Sequence, residues 1–157
     1  MSDLPDFTNY SQVDLVQQTI AFLTNRPMYG AAHNIYGEKT IGANSQTTLC
    51  LINGKGVIYG GILYAENQPR VNNDGILIYV DDNVTITSSW ENLLKFNATD
   101  YGDYGIKLTC FDEKNGNYNI SFMGGITFED NFYIVYAEQE GHNVTIGYNI
   151  IYALLTT

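Results

Sequence analysis

The chain has 157 residues, enough for one domain with its own core, and it is 45% hydrophobic but only 15% charged. Its formal net charge of −10 repels phosphate backbones and anionic bilayers, so we expect neither nucleic acid nor a membrane as a partner. Residues 1–6 are acidic and lack the apolar core of a signal peptide, and no apolar run reaches the length of a membrane span.

The first 45 residues are predicted to form an arm with one short helix. Ser11 and Asp14 resemble a capping box at the start of a helix over residues 12–24, whereas residues 25–45 show little periodicity. The helix has a narrow apolar stripe, which we expect to dock on a partner subunit or lattice protein. The alternative is that the helix caps one open end of the following domain. The stripe consists of Val13, Val16, Ile20 and Leu23.

From residue 47 onward the pattern changes to short strands separated by turns. Asn-Gly pairs at residues 53–54 and 115–116 favour hairpins, and Asp81-Asp82-Asn83 favours a further turn. The last segment alternates apolar and other residues over eleven positions, which predicts a long or central strand. Strands are predicted at residues 47–52, 56–64, 75–81, 83–87, 104–111, 117–123, 131–138 and 143–155.

This spacing predicts an all-β fold, an antiparallel β-sandwich or jelly roll over residues 46–157, preceded by the arm of residues 1–45 with its short N-terminal helix. The strands are too apolar for a single core, because large groups such as Leu63 and Tyr64 occupy adjacent positions and so face opposite sides. We therefore expect loops or other subunits to cover the outer faces of the sheets.

A catalytic or metal site would be built from histidine, cysteine and acidic side chains. The two histidines, His33 and His142, lie in no metal-ligand spacing, and Cys50 and Cys110 form no C-x-x-C motif. We therefore predict no catalytic residues, no cofactor and no enzymatic activity. Acidic clusters can bind calcium, but none here has the twelve-residue loop pattern of an EF-hand. The weak calcium candidates are Asp100 and Asp103.

Trp90 and the two cysteines each have two interpretations. On an exposed loop, Trp90 would stack against a sugar ring, whereas beneath Leu93 it would fill the core or an interface. Cys50 and Cys110 lie in apolar strand segments and are predicted to be reduced and mainly buried. A disulfide between them is the alternative.

Residues 48–61 contain Thr-Leu followed by Gly-Lys-Gly and an apolar strand. This pattern resembles the opening of a family of small β-sandwich virion proteins from tailed bacteriophages. Residues 76–82 occupy the place of its I-x-I-D-G segment, with Asp82 where glycine is expected, and residues 122–128 and 144–155 are similar to its C-terminal half. The resemblance covers residues 46–155 and implies a structural role on a virion, without catalytic residues.

The first functional hypothesis is therefore a non-enzymatic virion structural protein located on the particle. As a capsid decoration protein, head fibre or tail component, it would form a homo-oligomer and attach to other virion proteins. The second hypothesis is a carbohydrate- or receptor-binding β-sandwich module, and the third is an enzyme on the same scaffold. The oligomeric state in solution discriminates between the first two.

Overall fold

A computed structural model describes residues 29–66, 73–99, 105–112 and 114–155. They form ten strands and one short helix, in the order β1 (His33–Ile41), β2 (Gln46–Asn53), β3 (Gly56–Ala65), β4 (Gly75–Val80), β5 (Asn83–Ser89), α1 (Trp90–Lys95), β6 (Ile106–Asp112), β7 (Asn117–Phe122), β8 (Ile126–Phe128), β9 (Asn131–Ala137) and β10 (Val144–Leu154). All strand pairs are antiparallel.

The strands form two sheets with the order of a jelly roll. The larger sheet has the order β1-β10-β3-β7-β6, with β8 paired to β3, and the smaller sheet has the order β2-β9-β4-β5. The chain crosses between the sheets at most of its connections, whereas β4–β5 and β6–β7 are hairpins within one sheet. The predicted all-β sandwich is confirmed, and the long last strand lies centrally between β1 and β3.

Alternating side chains of both sheets fill one core. In β10, Val144, Ile146, Tyr148 and Ile150 point inward, as the period of two predicts. They meet aromatic residues of both sheets, and Phe132 lies within 6.3 Å of both Phe122 and Phe128, measured between ring centroids. The large side chains that are almost completely buried include Trp90, Tyr118, Tyr136, Phe122, Phe128 and Phe132.

Two of the three predicted turns connect paired strands, and the third does not. Asp81 and Asp82 both adopt positive φ between β4 and β5, and Gly116 does so between β6 and β7, so both hairpins form as predicted. Gly54 also has positive φ, but the hairpin predicted there is wrong, because β2 and β3 belong to different sheets. The turn instead carries the chain across the sandwich.

Part of the predicted arm belongs to the sandwich. Residues 33–41, expected to be irregular, form β1 and pair with β10 along nine residues without a bulge. Ile41 is completely buried in the core, so the predicted boundary at residue 45 falls between two strands of one sandwich. The helix predicted over residues 12–24 lies outside the described residues.

Two elements were not predicted from the sequence. Helix α1 has only six residues and begins after Ser89, whose hydroxyl accepts a hydrogen bond from the Asn92 N–H. Strand β8 has three residues. Both are too short for a periodic pattern.

The edges of both sheets are irregular or charged. One extra residue forms a bulge in each of three edge strands, at Leu49 in β2, Thr85 in β5 and Thr109 in β6. The fourth edge, β1, carries Glu38 and Lys39, and the Lys39 ammonium donates to the Thr48 carbonyl at 2.7 Å. Bulges and charges oppose edge-to-edge pairing with another chain. Contacts with other molecules are therefore expected at the faces of the sheets.

Candidate functional site

The outer face of the larger sheet is the candidate functional site. Outward positions of β1, β10, β3, β7 and β6 align in cross-strand rows, because the strands pair in register. One row consists of Tyr36, Asn149, Ile62, Ser121 and Lys107, and the next of Glu38, Gly147, Tyr64, Asn119 and Cys110.

Apolar side chains are exposed across this outer face. The exposed fractions are 74% for Tyr36, 51% for Tyr59, 43% for Ile62 and 48% for Ile151. The three central strands, β10, β3 and β7, contain no charged residue. A patch of this kind on a chain with net charge −10 is typical of a surface that contacts another molecule.

Tyr64 lies flat across the sheet because Gly147 has no side chain. A Cβ atom at residue 147 would overlap the Tyr64 ring. The Tyr64 hydroxyl donates a hydrogen bond to the Glu38 carboxylate at 2.8 Å, and this bond raises the pKa of the phenol. This cross-strand row holds the Tyr64 ring in a single position, between the space left by Gly147 and the carboxylate of Glu38.

Asn149 has an unusual environment in the middle of this face. It lies opposite Tyr36 on one side and Ile62 on the other. Its side-chain oxygen is shielded from solvent and has no hydrogen-bond partner among the described residues. A shielded acceptor without a donor is unfavourable, and such a group calls for an explanation.

Two shallow hollows meet at Asn149. The first, of about 350 Å³, lies beside the exposed side chains of Tyr59, Ile62 and Ile151, and glycines form part of its lining. The second, of about 450 Å³, is lined by Tyr36, Glu38 and Tyr64 together with Tyr148 and Asn149. The face therefore has two hollows of similar volume, and exposed apolar side chains project beside them.

A second polar cluster lies inside the sandwich and includes Trp90. The Trp90 indole N–H donates to the Tyr136 hydroxyl at 2.7 Å, and Tyr136 donates to the Asp74 carboxylate at 2.8 Å. Trp90 is 1% exposed, so of its two interpretations the structure agrees with the core position and not with stacking on a ligand. Its ring packs near Tyr118, with ring centroids 5.7 Å apart.

The buried carboxylate of Glu138 organises the loop that follows β9. Its oxygens accept hydrogen bonds from the backbone N–H groups of Asn44, Glu140 and His142. Burial alone would raise the pKa of Glu138, but these three donors hold it below its ordinary value. The His142 Nδ1 atom also lies 3.2 Å from this carboxylate.

Asp74, Glu138 and His142 come close enough together to be considered as metal ligands. However, the Glu138 oxygens accept backbone hydrogen bonds, and Asp74 accepts from Tyr136 and the Gln139 N–H. These donors already stabilise both carboxylates without a cation. We therefore assign this cluster to loop structure.

The remaining predicted residues separate into two groups. Cys50 is buried and unpaired, and burial raises the pKa of its thiol to about 12, whereas Cys110 is exposed, so the prediction of burial is wrong for Cys110. Cys110 occupies the bulged edge strand β6, where the irregular register changes which side chains face outward. The apolar stripe, Val13, Val16, Ile20 and Leu23, and the calcium candidates, Asp100 and Asp103, lie outside the described residues.

Neither sequence comparison assigns the chain to a family. No protein-family model matches it, and no curated protein matches it significantly. Among the described residues, no helix is long and apolar enough to cross a bilayer.

Proposed function

We propose that the chain is a non-enzymatic structural subunit of a virion, a capsid decoration protein, head fibre or tail component, which self-assembles and attaches to the particle. The observation that carries the proposal is the outer face of the larger sheet. Its three central strands contain no charged residue, and its exposed apolar side chains are Tyr36, Tyr59, Ile62 and Ile151. An apolar face of this extent is typical of a subunit that is completed by its neighbours.

The fold is compatible with this role but does not carry it alone. Jelly rolls occur in viral capsid proteins and in lectins, and one fold supports many functions. The additional support comes from the edges, where bulges and charges direct contacts away from β-strand addition and towards the faces. The apolar stripe of residues 12–24 is proposed as a separate attachment segment for another virion protein.

Immunogold labelling tests the proposal. Virus particles are purified from cells that produce this chain and are incubated with an antibody against the chain. We expect the antibody to label intact particles at regular positions. The same antibody saturated with purified chain is the control. Labelling confined to free protein, with intact particles unlabelled, would contradict the virion role.

A second candidate function is binding of a neutral glycan in the hollow beside β1. Tyr36 offers an exposed ring for stacking on a sugar, and Glu38 and Asn149 offer hydrogen-bonding groups for its hydroxyls. Amide NMR titration with neutral oligosaccharides tests this alternative. Chemical-shift changes confined to β1 and β10, and abolished in Tyr36→Ala, would favour it over self-assembly.

A further inference from the structure

We propose that the sandwich is oriented on the particle, with the end at which residues 1–28 join it facing the partner protein and the opposite end facing away. The inference rests on the proposed virion role and adds the surface of this chain that lies against the partner. Its basis is the position of Tyr29 in the fold, the length of chain between Tyr29 and the apolar stripe, and the connections among the turns around it.

Residues 1–28 join the sandwich at one defined place. Tyr29 forms an isolated β-bridge with Leu155, and the Gly30 N–H donates a hydrogen bond to the Leu154 carbonyl at 2.8 Å. The Leu155 N–H donates in turn to the carbonyl of Lys55, in the turn between β2 and β3, at 2.7 Å. The first described residue is therefore fixed beside the end of β10, and we call this end of the sandwich the proximal end.

Three turns at the proximal end are joined into one surface. The Asp81 carboxylate, between β4 and β5, accepts hydrogen bonds from the N–H groups of residues 129–131, between β8 and β9. The Gly54 N–H, between β2 and β3, donates to the Asp130 carbonyl at 2.8 Å, and Lys55 pairs with Glu129 at 2.6 Å. Loops that are already connected lose little conformational entropy when they contact a partner, so this end is suited to a stable contact.

The length of the chain limits where the partner can lie. Leu23, the residue of the apolar stripe nearest to Tyr29, precedes it by six positions, which span at most about 21 Å when fully extended. Strand β10 alone has 11 residues and is roughly 36 Å long. A partner that binds Leu23 in an apolar groove must therefore lie closer to the proximal end than to the other end of β10.

The opposite end, which we call the distal end, is formed by the β1–β2 turn and the loop that follows β9. Ile41, the last residue of β1, pairs with Val144, the first residue of β10, so this turn lies at the far end of β10 from Tyr29. The Glu138 carboxylate connects the turn to the loop through the N–H groups of Asn44 and His142. The distal end thus points away from the partner.

Maleimide labelling of single-cysteine variants on intact particles tests the orientation. Asp130→Cys places a thiol at the proximal end and Ala43→Cys places one at the distal end, and both native residues are exposed. Both variants are made in a Cys110→Ser background, in which Cys50 is buried, has a pKa of about 12 and does not react. We expect the thiol at residue 130 to react roughly ten-fold or more slowly on particles than in the free chain, and the thiol at residue 43 to react equally in both.

The two substitutions are matched in their effect on the fold. Asp130 contributes its backbone N–H and carbonyl to the turns of the proximal end, and Ala43 contributes its backbone N–H, which donates to the Asn143 side chain at 3.2 Å. A cysteine at either position retains these backbone groups. Circular dichroism melts of the free variants are therefore expected to resemble that of the parent Cys110→Ser chain.

A bulky label attached before assembly gives a second readout. The free variants are labelled with a polyethylene glycol maleimide and mixed with particles that lack the chain, and binding is measured by co-sedimentation. We expect the label at residue 130 to abolish binding, because it occupies the contact, and the label at residue 43 to leave binding unchanged. Binding that survives the label at residue 130 would overturn the orientation.

The outcomes separate this inference from the proposed function. On particles that contain the chain, protection of residue 43 alone, of both residues or of neither would overturn the orientation and leave the virion role in place. Protection of residue 130 alone would support both. Absence of the chain from purified particles would overturn the virion role and the orientation together.

Discussion

At the scale of single residues, buried polar groups fix the loops around the core. Glu138 is 2% exposed, and it accepts backbone hydrogen bonds from both the β1–β2 turn and the loop after β9. Asp81 does the same on the surface, where it accepts from the N–H groups of residues 129–131. Those donors lower the pKa of Asp81. In both cases one carboxylate connects two turns that are distant in sequence.

Glu138→Gln is expected to lower the free energy of unfolding at pH 7 by about 1–3 kcal/mol, because an amide replaces a buried charged acceptor. The folded-state pKa of Glu138 is lowered, so its stabilising contribution is present above the unfolded pKa of about 4.3 and is lost as pH falls through the folded value. Urea unfolding at pH 7 and at lower pH should show the difference from wild type narrowing below about pH 4.3.

The control for this prediction is Glu129→Gln. Glu129 pairs with Lys55 on the surface, where its side chain is 68% exposed, so we expect a change of no more than about 1 kcal/mol. A difference between wild type and Glu138→Gln that stays constant from neutral to acidic pH would contradict the assigned role of the carboxylate.

At the scale of elements, eight of the ten strands could be predicted because they carry their own local signals. Alternating side chains identify β10, and positive-φ residues such as Asp82 and Gly116 mark the hairpins. Strand β1 lacks such a signal, because Gly37 and Lys39 occupy inward positions between Ile35 and Ile41. A Cβ at Gly37 would approach the Tyr148 hydroxyl within 2.9 Å, a constraint that only the folded sheet reveals.

The candidate site depends on register across strands that are distant in sequence. Tyr36, Ile62 and Asn149 become neighbours only through the pairing of β1, β10 and β3. The sequence does predict apolar side chains on both faces of the strands, and therefore an apolar outer face. The particular row, and the missing donor at Asn149, require the three-dimensional structure.

Truncation distinguishes the contribution of β1 from that of the preceding residues. Deletion of residues 1–45 removes a nine-residue ladder to β10 and the buried Ile41, so we expect loss of the cooperative thermal transition. Deletion of residues 1–28 removes none of the described strands, and we expect the transition to remain while binding to particles is lost. Thermal melts and co-sedimentation with particles measure the two effects.

The same pair of truncations tests the alternative role of the predicted helix. If the apolar stripe, Val13, Val16, Ile20 and Leu23, completes the core of its own chain, deletion of residues 1–28 should by itself abolish the transition. That outcome would contradict the proposed attachment role. A folded chain of residues 29–157 that still binds particles would contradict it as well.

At the scale of the whole molecule, net charge and apolar surface have opposite effects on association between copies of the chain. The net charge of −10 makes copies repel one another, whereas the outer face of the larger sheet has uncharged central strands with exposed Ile62 and Ile151. Repulsion between surface charges is screened by salt, and burial of apolar area is not weakened by it. The balance between charge repulsion and apolar burial therefore depends on ionic strength.

We expect self-association to strengthen as salt is added. Between about 20 and 200 mM sodium chloride the Debye length falls roughly three-fold, which reduces repulsion between the acidic subunits and should lower the Kd several-fold. The double variant Glu129→Gln with Asp130→Asn removes two negative charges at the β8–β9 turn and should show a smaller salt dependence. Sedimentation equilibrium across the salt series measures both. A Kd that rises with salt would mean that ion pairs between copies, rather than apolar contact, dominate the interface.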